Sequence, residues 1–336
     1  MRHPLRCGTR FAIALAILLA LGPSRARAAG QSDEVRLLTV GDWGIDSPAR
    51  QEVANGMAGY AARPGKHPDA VLLLGDNFYV KLAGADDPQI QTFFEKTYDR
   101  SRLDMPFYAV MGNHDYKNDD VNIELSYAQR PGTRLKIPAR WYRLDLPSQK
   151  PIVTVLMLDS DAPPDLMKPQ DWDSETAWLA GELAKPHAPW LVCCAHHDMF
   201  GNGSHGDNGV LMTTWGRLFK QARVDFYVCG HEHTLQHLEI PDWPISFVIA
   251  GGGGAKTKAM LRDRRGPFSR SVHGFAAFDV NGDLATVSLL DADGRTLHEF
   301  TRDHAGLVKV TLNTPSDKAT KHPLKVIQGV DDGGDN

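Results

Sequence analysis

Short apolar runs alternate with segments of helical spacing along most of the chain. The run Val35 to Val40 precedes a segment in which Ser47 fits a helix N-cap and Pro48 the first helical position. A second continuous apolar run follows at 70–74. Continuous apolar runs bounded by turn residues are typical of buried parallel strands, so the pattern predicts a β-α-β unit at this point.

The alternation continues to about residue 249 and then changes. Further strands are predicted at 107–110, 141–145, 151–158, 190–194, 225–229 and 245–249, and helices from Gln89 to Tyr98 and from Ser174, as N-cap, to Ala184. Beyond this region, Asn281-Gly282 and Asp293-Gly294 separate apolar runs at 274–280, 284–290 and 297–301, as in β-hairpins. This order of elements predicts an α/β fold with two mixed sheets and helices on both outer sides.

The two ends of the chain differ from the folded region. Residues 1–29 contain Arg2, Arg6 and Arg10, then the apolar run Phe11 to Leu21, and then Ala26-Arg27-Ala28 as a cleavage site, which is the pattern of a secretory signal peptide. The run is too short to span a membrane, although an uncleaved N-terminal anchor is the alternative. We therefore expect a secreted or periplasmic protein that leaves the membrane after cleavage, with a folded domain over 30–312 and a polar, disordered tail over 313–336.

Composition and charge restrict the partners. A chain of 336 residues with 42% apolar content can bury a large core. Without residues 1–29, 32 basic residues face 41 acidic ones, a formal net charge of -9, which argues against nucleic acid as the main partner. Cys193, Cys194 and Cys229 lie in predicted strands, so we expect buried thiols rather than a disulfide framework.

Polar side chains directly follow five of the predicted strands. The endings are Gly41-Asp42, Gly75-Asp76-Asn77-Phe78-Tyr79, Gly112-Asn113-His114-Asp115, Ala195-His196-His197 and Gly230-His231-Glu232-His233. One such aspartate could be a helix N-cap or turn residue, and a lone histidine could be structural. However, ligands in open α/β sheets gather where strands end, so five endings in succession indicate a site. Carboxylate, amide, phenol and imidazole groups without a thiolate favour iron, manganese or zinc.

With these motifs the chain resembles the binuclear metallophosphoesterases and, within them, the purple acid phosphatases of the small, tartrate-resistant type. The resemblance spans Leu37 to Ala250 and implies a four-layer α/β/β/α sandwich of metallophosphoesterase type. Many relatives in the wider superfamily have a metal-binding histidine where this chain has Gly44. In the purple acid phosphatases a tyrosinate that binds ferric iron replaces this ligand, and Tyr79 occupies the matching position.

The resemblance implies a complete set of metal ligands. Asp42, Tyr79 and His233 would bind iron(III), Asn113, His196 and His231 would bind divalent iron, zinc or manganese, and Asp76 would bridge the two ions. A carboxylate can span two ions about 3.5–4 Å apart. Because water on iron(III) is unusually acidic, the implied reaction is hydrolysis of small phosphomonoesters by a metal-bound hydroxide, as in an acid phosphatase.

Three histidines are candidates for protonating the leaving group. The family places histidines at the positions of His114 and His205, and His197 is a third candidate. The small-type enzymes commonly have an aromatic residue and a proline where this chain has His197-Asp198, so His197 could instead orient a metal ligand. Asp115 is also expected to contact the ligand residues and not the metal ions.

Two other functions use the same residues. A phosphodiesterase or nucleotide hydrolase with two divalent ions is one, although such an enzyme has less use for the phenolate of Tyr79. A metal- or phosphate-binding protein without turnover is the other, and the complete ligand set argues against it. The four glycines 251–254 lack the lysine-serine/threonine ending of a P-loop, so we expect a tight passage beside the metals. Substrate, divalent ion and oligomeric state stay open.

Overall fold

The structure is a computed structural model, and it describes residues 1, 34–161, 167–261, 265–318 and 326–327. The chain divides into two compact units, Met1–Ser32 and Asp33–Asn336, and all elements below belong to the second. Apart from Met1, the predicted signal peptide lies outside the described residues. Within the described ranges, no helix combines the length and the apolar content needed to cross a bilayer.

The elements are numbered in chain order. The strands are β1 (Glu34–Val40), β2 (Ala70–Leu74), β3 (Phe107–Val110), β4 (Leu135–Lys136), β5 (Tyr142–Leu146), β6 (Val153–Met157), β7 (Trp190–Cys194), β8 (Asp207–Asn208), β9 (Phe226–Cys229), β10 (Leu235–Glu239), β11 (Ser246–Ala250), β12 (Phe268–Arg270), β13 (Gly274–Asn281), β14 (Leu284–Asp291), β15 (Thr296–Asp303), β16 (Val308–Asn313) and β17 (Val326–Ile327). The helices are α1 (Pro48–Ala61), α2 (Pro88–Ile90), α3 (Asn113–Lys117), α4 (Val121–Ala128), α5 (Pro169–Leu183) and α6 (Gly209–Ala222), and a π-helical turn (Gln91–Glu95) follows α2.

Most of these strands form two mixed sheets. Within the part of the chain that the structure describes, one sheet has eight strands in the order β16-β15-β14-β13-β1-β2-β3-β4, and the other has seven in the order β12-β10-β11-β9-β7-β6-β5. Strands β1 to β4 run parallel, as do β6, β7, β9 and β11. The remaining pairs in these two sheets are antiparallel; for example, Glu34 of β1 lies opposite Asn281 of β13. Each sheet therefore has one edge where the carboxyl ends of parallel strands meet.

The two sheets pack face to face with helices outside them. Trp190 and Val192 of β7 belong to the core between the sheets, whereas Leu191 packs in a second core with residues of α5 and α6. In that second core, the rings of Trp172 and Trp215 stack with centroids 4.8 Å apart. This alternation is expected of a strand buried on both faces. The predicted α/β/β/α sandwich is confirmed.

The predicted strands are present with small shifts at their ends, but the helices need correction. Ser47 caps α1 as predicted, since its hydroxyl accepts the N–H of Arg50 at 3.2 Å. The helix predicted from Gln89 to Tyr98 is wrong beyond Ile90, because the chain continues as the π-helical turn. The helix assigned to Ser174 begins instead at Pro169, which suits a first helical position, and Ser174 donates to Gln170 inside the helix.

Several elements were not predicted. These are α3, α4, α6 and the strands β4, β8, β10, β12, β16 and β17. The last of them falls in the tail that was expected to be disordered: Val326 pairs in parallel with Asp207. Asp317 also donates its N–H to the carbonyl of Ser269 at 3.0 Å. The rest of the tail, 319–325 and 328–336, lies outside the described residues. Cys193, Cys194 and Cys229 are buried free thiols, as predicted.

Candidate metal centre

The parallel strands of both sheets deliver their polar endings to one place. Asp42 follows β1, Asp76 follows β2 and His231 follows β9, and all three are at most 5% exposed. Their φ angles are +60°, +51° and +63°, in the left-handed region that non-glycine residues rarely adopt. Each comes directly after a glycine. Strained backbone of this kind concentrates at functional sites.

Asp42, Asp76 and His233 form the first group of ligand atoms, all within 4.8 Å of one another. His233 Nε2 lies 3.3 Å from Asp42 Oδ1 and 3.2 Å from the Tyr79 hydroxyl. His233 Nδ1 donates to the carbonyl of Lys256 at 2.9 Å, which leaves the lone pair on Nε2, facing the group.

Two carboxylate oxygens in this group lack a hydrogen-bond donor. Asp42 Oδ1 and Asp76 Oδ2 are buried, and neither has a hydrogen-bond partner among the described residues. The other oxygen of Asp42 accepts the backbone N–H of His231 at 2.9 Å. Burying such an oxygen is costly unless a cation or donor compensates it, so these residues fit a metal ion.

A second group forms around His196. Its Nδ1 donates to the carbonyl of Leu74 at 2.8 Å, so the lone pair is on Nε2. His196 Nε2 lies 3.0 Å from Asn113 Oδ1, 3.2 Å from His231 Nδ1 and 3.3 Å from Asp76 Oδ1. Asp76 therefore belongs to both groups, which is the position of a carboxylate that spans two ions.

The protonation states of these residues suit metal binding. Burial alone would raise the pKa of Asp76, but the neighbouring His196 and His114 and its hydrogen bonds hold that pKa below its ordinary value. Burial, together with the nearby histidines, lowers the pKa of His231 well below its ordinary value. The carboxylate is therefore ionised and the imidazole neutral, as metal ligands must be.

Gly44 packs closely against the turn that carries Tyr79. The N–H of Gly44 donates to the carbonyl of Asp76 at 3.2 Å, and Tyr79 donates its N–H to the carbonyl of Gly44 at 3.0 Å. A Cβ at position 44 would lie 2.2 Å from the carbonyl oxygen of Asn77. The turn that carries Tyr79 thus occupies the space that a side chain at 44 would need. Asp115 holds this turn by accepting the N–H of Phe78 at 3.1 Å.

His114 and His205 lie against different parts of the centre. The His114 ring packs on Tyr79 with centroids 4.1 Å apart, and the backbone N–H of His114 donates to Asp76 Oδ1 at 3.0 Å. The His205 ring stacks on His231 at 3.9 Å. Each is therefore beside one of the two ligand groups.

His197 has a different environment. It is fully buried, its Nδ1 lies 2.9 Å from the Ser160 hydroxyl, and its ring is 4.4 Å from that of His231. Burial lowers its pKa well below the ordinary value, with a smaller effect from neighbouring His196. His197 therefore lies beside the second ligand group, and its role stays a prediction.

Two residues that contact His205, Glu232 and Lys258, were not predicted from the sequence. Glu232 is buried and accepts the N–H of His205 at 2.8 Å and the hydroxyl of Ser204 at 3.2 Å. Glu232 lies between His231 and His233 in the sequence, and this position could have indicated a role at the site. Lys258 lies with Nζ 3.0 Å from His205 Nε2, and no motif marks it.

In this two-sheet sandwich the strand ends bring two ligand groups together, and one aspartate belongs to both. This arrangement defines the metallophosphoesterases with dinuclear metal centres. The chain belongs to the calcineurin-like phosphoesterase family, whose model matches residues 35–235. It is therefore a phosphoester hydrolase.

Individual relatives narrow the comparison. Human tartrate-resistant acid phosphatase type 5 is 28% identical over 302 residues, covering 80% of this chain and 91% of the relative. Purple acid phosphatase 4 of Arabidopsis thaliana is 27% identical, covering 79% and 83%. Among solved structures, GAP50, described as the anchor in the inner membrane complex of Plasmodium, has a TM-score of 0.71 at 19% identity, covering 79% and 87%. A purple acid phosphatase from yellow lupin seeds has a TM-score of 0.62 at 15% identity, covering 82% and 55%.

Proposed function

We propose that the chain is a secreted or periplasmic acid phosphatase that hydrolyses small phosphomonoesters at an iron(III)–metal(II) centre. The observation that carries this proposal is the Tyr79 hydroxyl, 3.2 Å from His233 Nε2 in the ligand group that also holds Asp42 and Asp76. A phenolate and two carboxylates suit the hard trivalent ion. The names of the relatives agree with this activity, and the N-terminal sequence pattern supports export.

The two ligand groups divide between the ions. Asp42, Tyr79 and His233 would bind iron(III), Asn113, His196 and His231 would bind divalent iron, zinc or manganese, and Asp76 would bind both. Once bound, the two ions supply an activated water and positive charge for the phosphoryl oxygens.

The leaving group needs a proton, and we assign its delivery to His205 and His114. Burial disfavours the protonated form of His205, but the hydrogen bond and negative charge of Glu232 outweigh this and raise its pKa. A raised pKa keeps the imidazole protonated near the working pH of a general acid. Glu232 also holds the backbone at His205, so it positions this residue.

The colour of the protein tests the carrying observation. A phenolate on iron(III) absorbs visible light by charge transfer, so the iron-loaded protein should be pink to purple and should hydrolyse a chromogenic phosphomonoester. Tyr79→Phe keeps the ring but deletes the oxygen, so the band should vanish. Tyr108→Phe, in β3 and outside both ligand groups, is the matched control and should keep the band.

Elemental analysis decides between the outcomes. A colourless protein with a full complement of iron(III) contradicts the phenolate ligand. A colourless, active protein that contains only divalent ions supports the phosphodiesterase or nucleotide hydrolase alternative, and diester and nucleotide substrates then identify it. Full metal content without turnover on any of these substrates supports a binding protein instead.

A further inference from the structure

We propose that Lys258 binds the phosphoryl group of the substrate and makes the centre select phosphomonoester dianions over phosphodiester monoanions. This inference rests on the proposed function of the same site. It concerns a residue outside both ligand groups, in the loop between β11 and β12.

The ammonium group of Lys258 lies beside the second ligand group. Lys258 Nζ lies 3.0 Å from His205 Nε2. The His205 ring stacks on His231 at 3.9 Å, and His231 Nδ1 lies 3.2 Å from His196 Nε2. A positive charge is therefore held beside the second ligand group, next to the proposed proton donor. A phosphoryl group bound at the centre would come within reach of it.

The backbone of this loop forms hydrogen bonds with Asp42 and His233, two of the proposed metal ligands. Ala255 donates its N–H to the carbonyl of Asp42 at 3.0 Å, and Lys258 donates its N–H to the carbonyl of His233 at 3.3 Å. In return, His233 Nδ1 donates to the carbonyl of Lys256 at 2.9 Å. A surface lysine normally loses much side-chain entropy when it binds an anion. Here the origin of the side chain is already positioned relative to the metal ligands.

Glycines allow this loop to pack closely against the strand ends that carry the proposed ligands. A Cβ at Gly251 would lie 2.4 Å from the carbonyl oxygen of Glu232, and one at Gly253 would lie 2.2 Å from that of Gly41. Only glycine permits these approaches without moving the strand ends. The glycines 251–254 thus form the tight passage expected from the sequence, and the passage carries Lys258 to the centre.

The charge of the ligand distinguishes phosphomonoesters from phosphodiesters. A phosphomonoester has a second ionisation near pH 6, so it carries about two negative charges at neutral pH, whereas a diester carries one. An ammonium group is a compact point charge that only donates hydrogen bonds, so when His205 is protonated and its Nε2 no longer accepts from Lys258, the ammonium can donate to a phosphoryl oxygen. Charge-assisted hydrogen bonds to phosphate are strong, and the additional charge of the monoester makes this contact selective.

The test is binding of inorganic phosphate to the metal-loaded protein by calorimetry, with kinetics on an aryl phosphomonoester and a bis-aryl diester. Lys258→Met should weaken phosphate binding by about tenfold to a hundredfold, since a hydrogen bond to a charged group is lost. KM for the monoester should rise more than kcat falls, and the diester should change much less. Lys258→Arg should restore most of the phosphate affinity. Lys309→Met is the matched control, because its side chain is exposed in β16, a strand that carries none of the ligand residues, and it should leave every value unchanged.

Metal content and the urea unfolding midpoint are measured for each variant, and Lys258→Gln serves as a second uncharged variant. Unchanged phosphate affinity in folded, metal-loaded Lys258→Met and Lys258→Gln overturns the proposal. A loss of kcat with unchanged phosphate affinity also overturns it, because Lys258 would then act only through His205. If the wild-type protein hydrolyses no phosphoester, the proposed function fails, yet phosphate affinity still tests Lys258.

Discussion

Replacing Gly44 by alanine should displace Tyr79, the residue that we propose as the phenolate ligand of iron(III). The added Cβ would lie 2.2 Å from the carbonyl oxygen and 2.3 Å from the carbonyl carbon of Asn77, so this backbone would have to move by about 1 Å to reach ordinary contact. Metal–ligand distances tolerate only about 0.2 Å. Overpacking of this kind costs about 1–3 kcal/mol of the free energy of unfolding.

Urea unfolding and the visible spectrum measure the two effects. The iron-loaded Gly44→Ala protein should lose its visible band and about 1–3 kcal/mol of stability. Gly59→Ala is the matched control: position 59 is in α1, a Cβ there meets nothing within 4 Å, and alanine in a helix should add about 0.5–1 kcal/mol. If Gly44→Ala kept both the band and the stability of the wild type, the steric account of Tyr79 would be refuted.

Two further predictions concern catalysis and pH. His205→Ala or His114→Ala should lower turnover by about 10²–10⁴-fold with metal content intact, whereas Asp76→Ala should lose metal as well as turnover. Elemental analysis measures the metal content of each variant, and an assay on a substrate with a poor leaving group measures its turnover. Burial raises the pKa of Asp120, which accepts the N–H of Leu82, to about 6. The folded state therefore binds this proton more tightly than the unfolded state, and the contribution of Asp120 to stability falls as pH rises from about 4 to about 6. Between pH 4 and pH 6.5, the free energy of unfolding of Asp120→Asn should rise by about 1 kcal/mol or more relative to that of the wild type. If urea unfolding gave the same difference between the two proteins at both pH values, the raised pKa would be contradicted.

The candidate ligand residues were accessible from the sequence because their position follows from strand topology. Asp42, Asp76 and His196 each follow a continuous apolar run, and parallel strands end at a common edge. The fold class followed from the same alternation. The resemblance then supplied Tyr79, which no periodicity could have assigned.

The remaining parts of the site depend on contacts between distant loops. Lys258 is 53 positions from His205, and the loops that join them have no repeating pattern. The helix α6 could have been found, because Leu211, Trp215 and Phe219 are spaced for one helical face. The π-helical turn after Ile90 could not, since such turns are rare and occur mostly within ordinary helices.

The left-handed backbone at Asp42, Asp76 and His231 sets stability against function in this protein. Each such residue costs about 1–3 kcal/mol, which is a large share of the roughly 5–15 kcal/mol that stabilises a typical domain. Glycine at any of these positions would relieve the strain but remove a side chain that we propose as a metal ligand. A library of variants selected for heat resistance in the absence of added metal should therefore accumulate changes at these three positions, because no bound ion then offsets the strain. Directed evolution of this chain needs selection for turnover in every round.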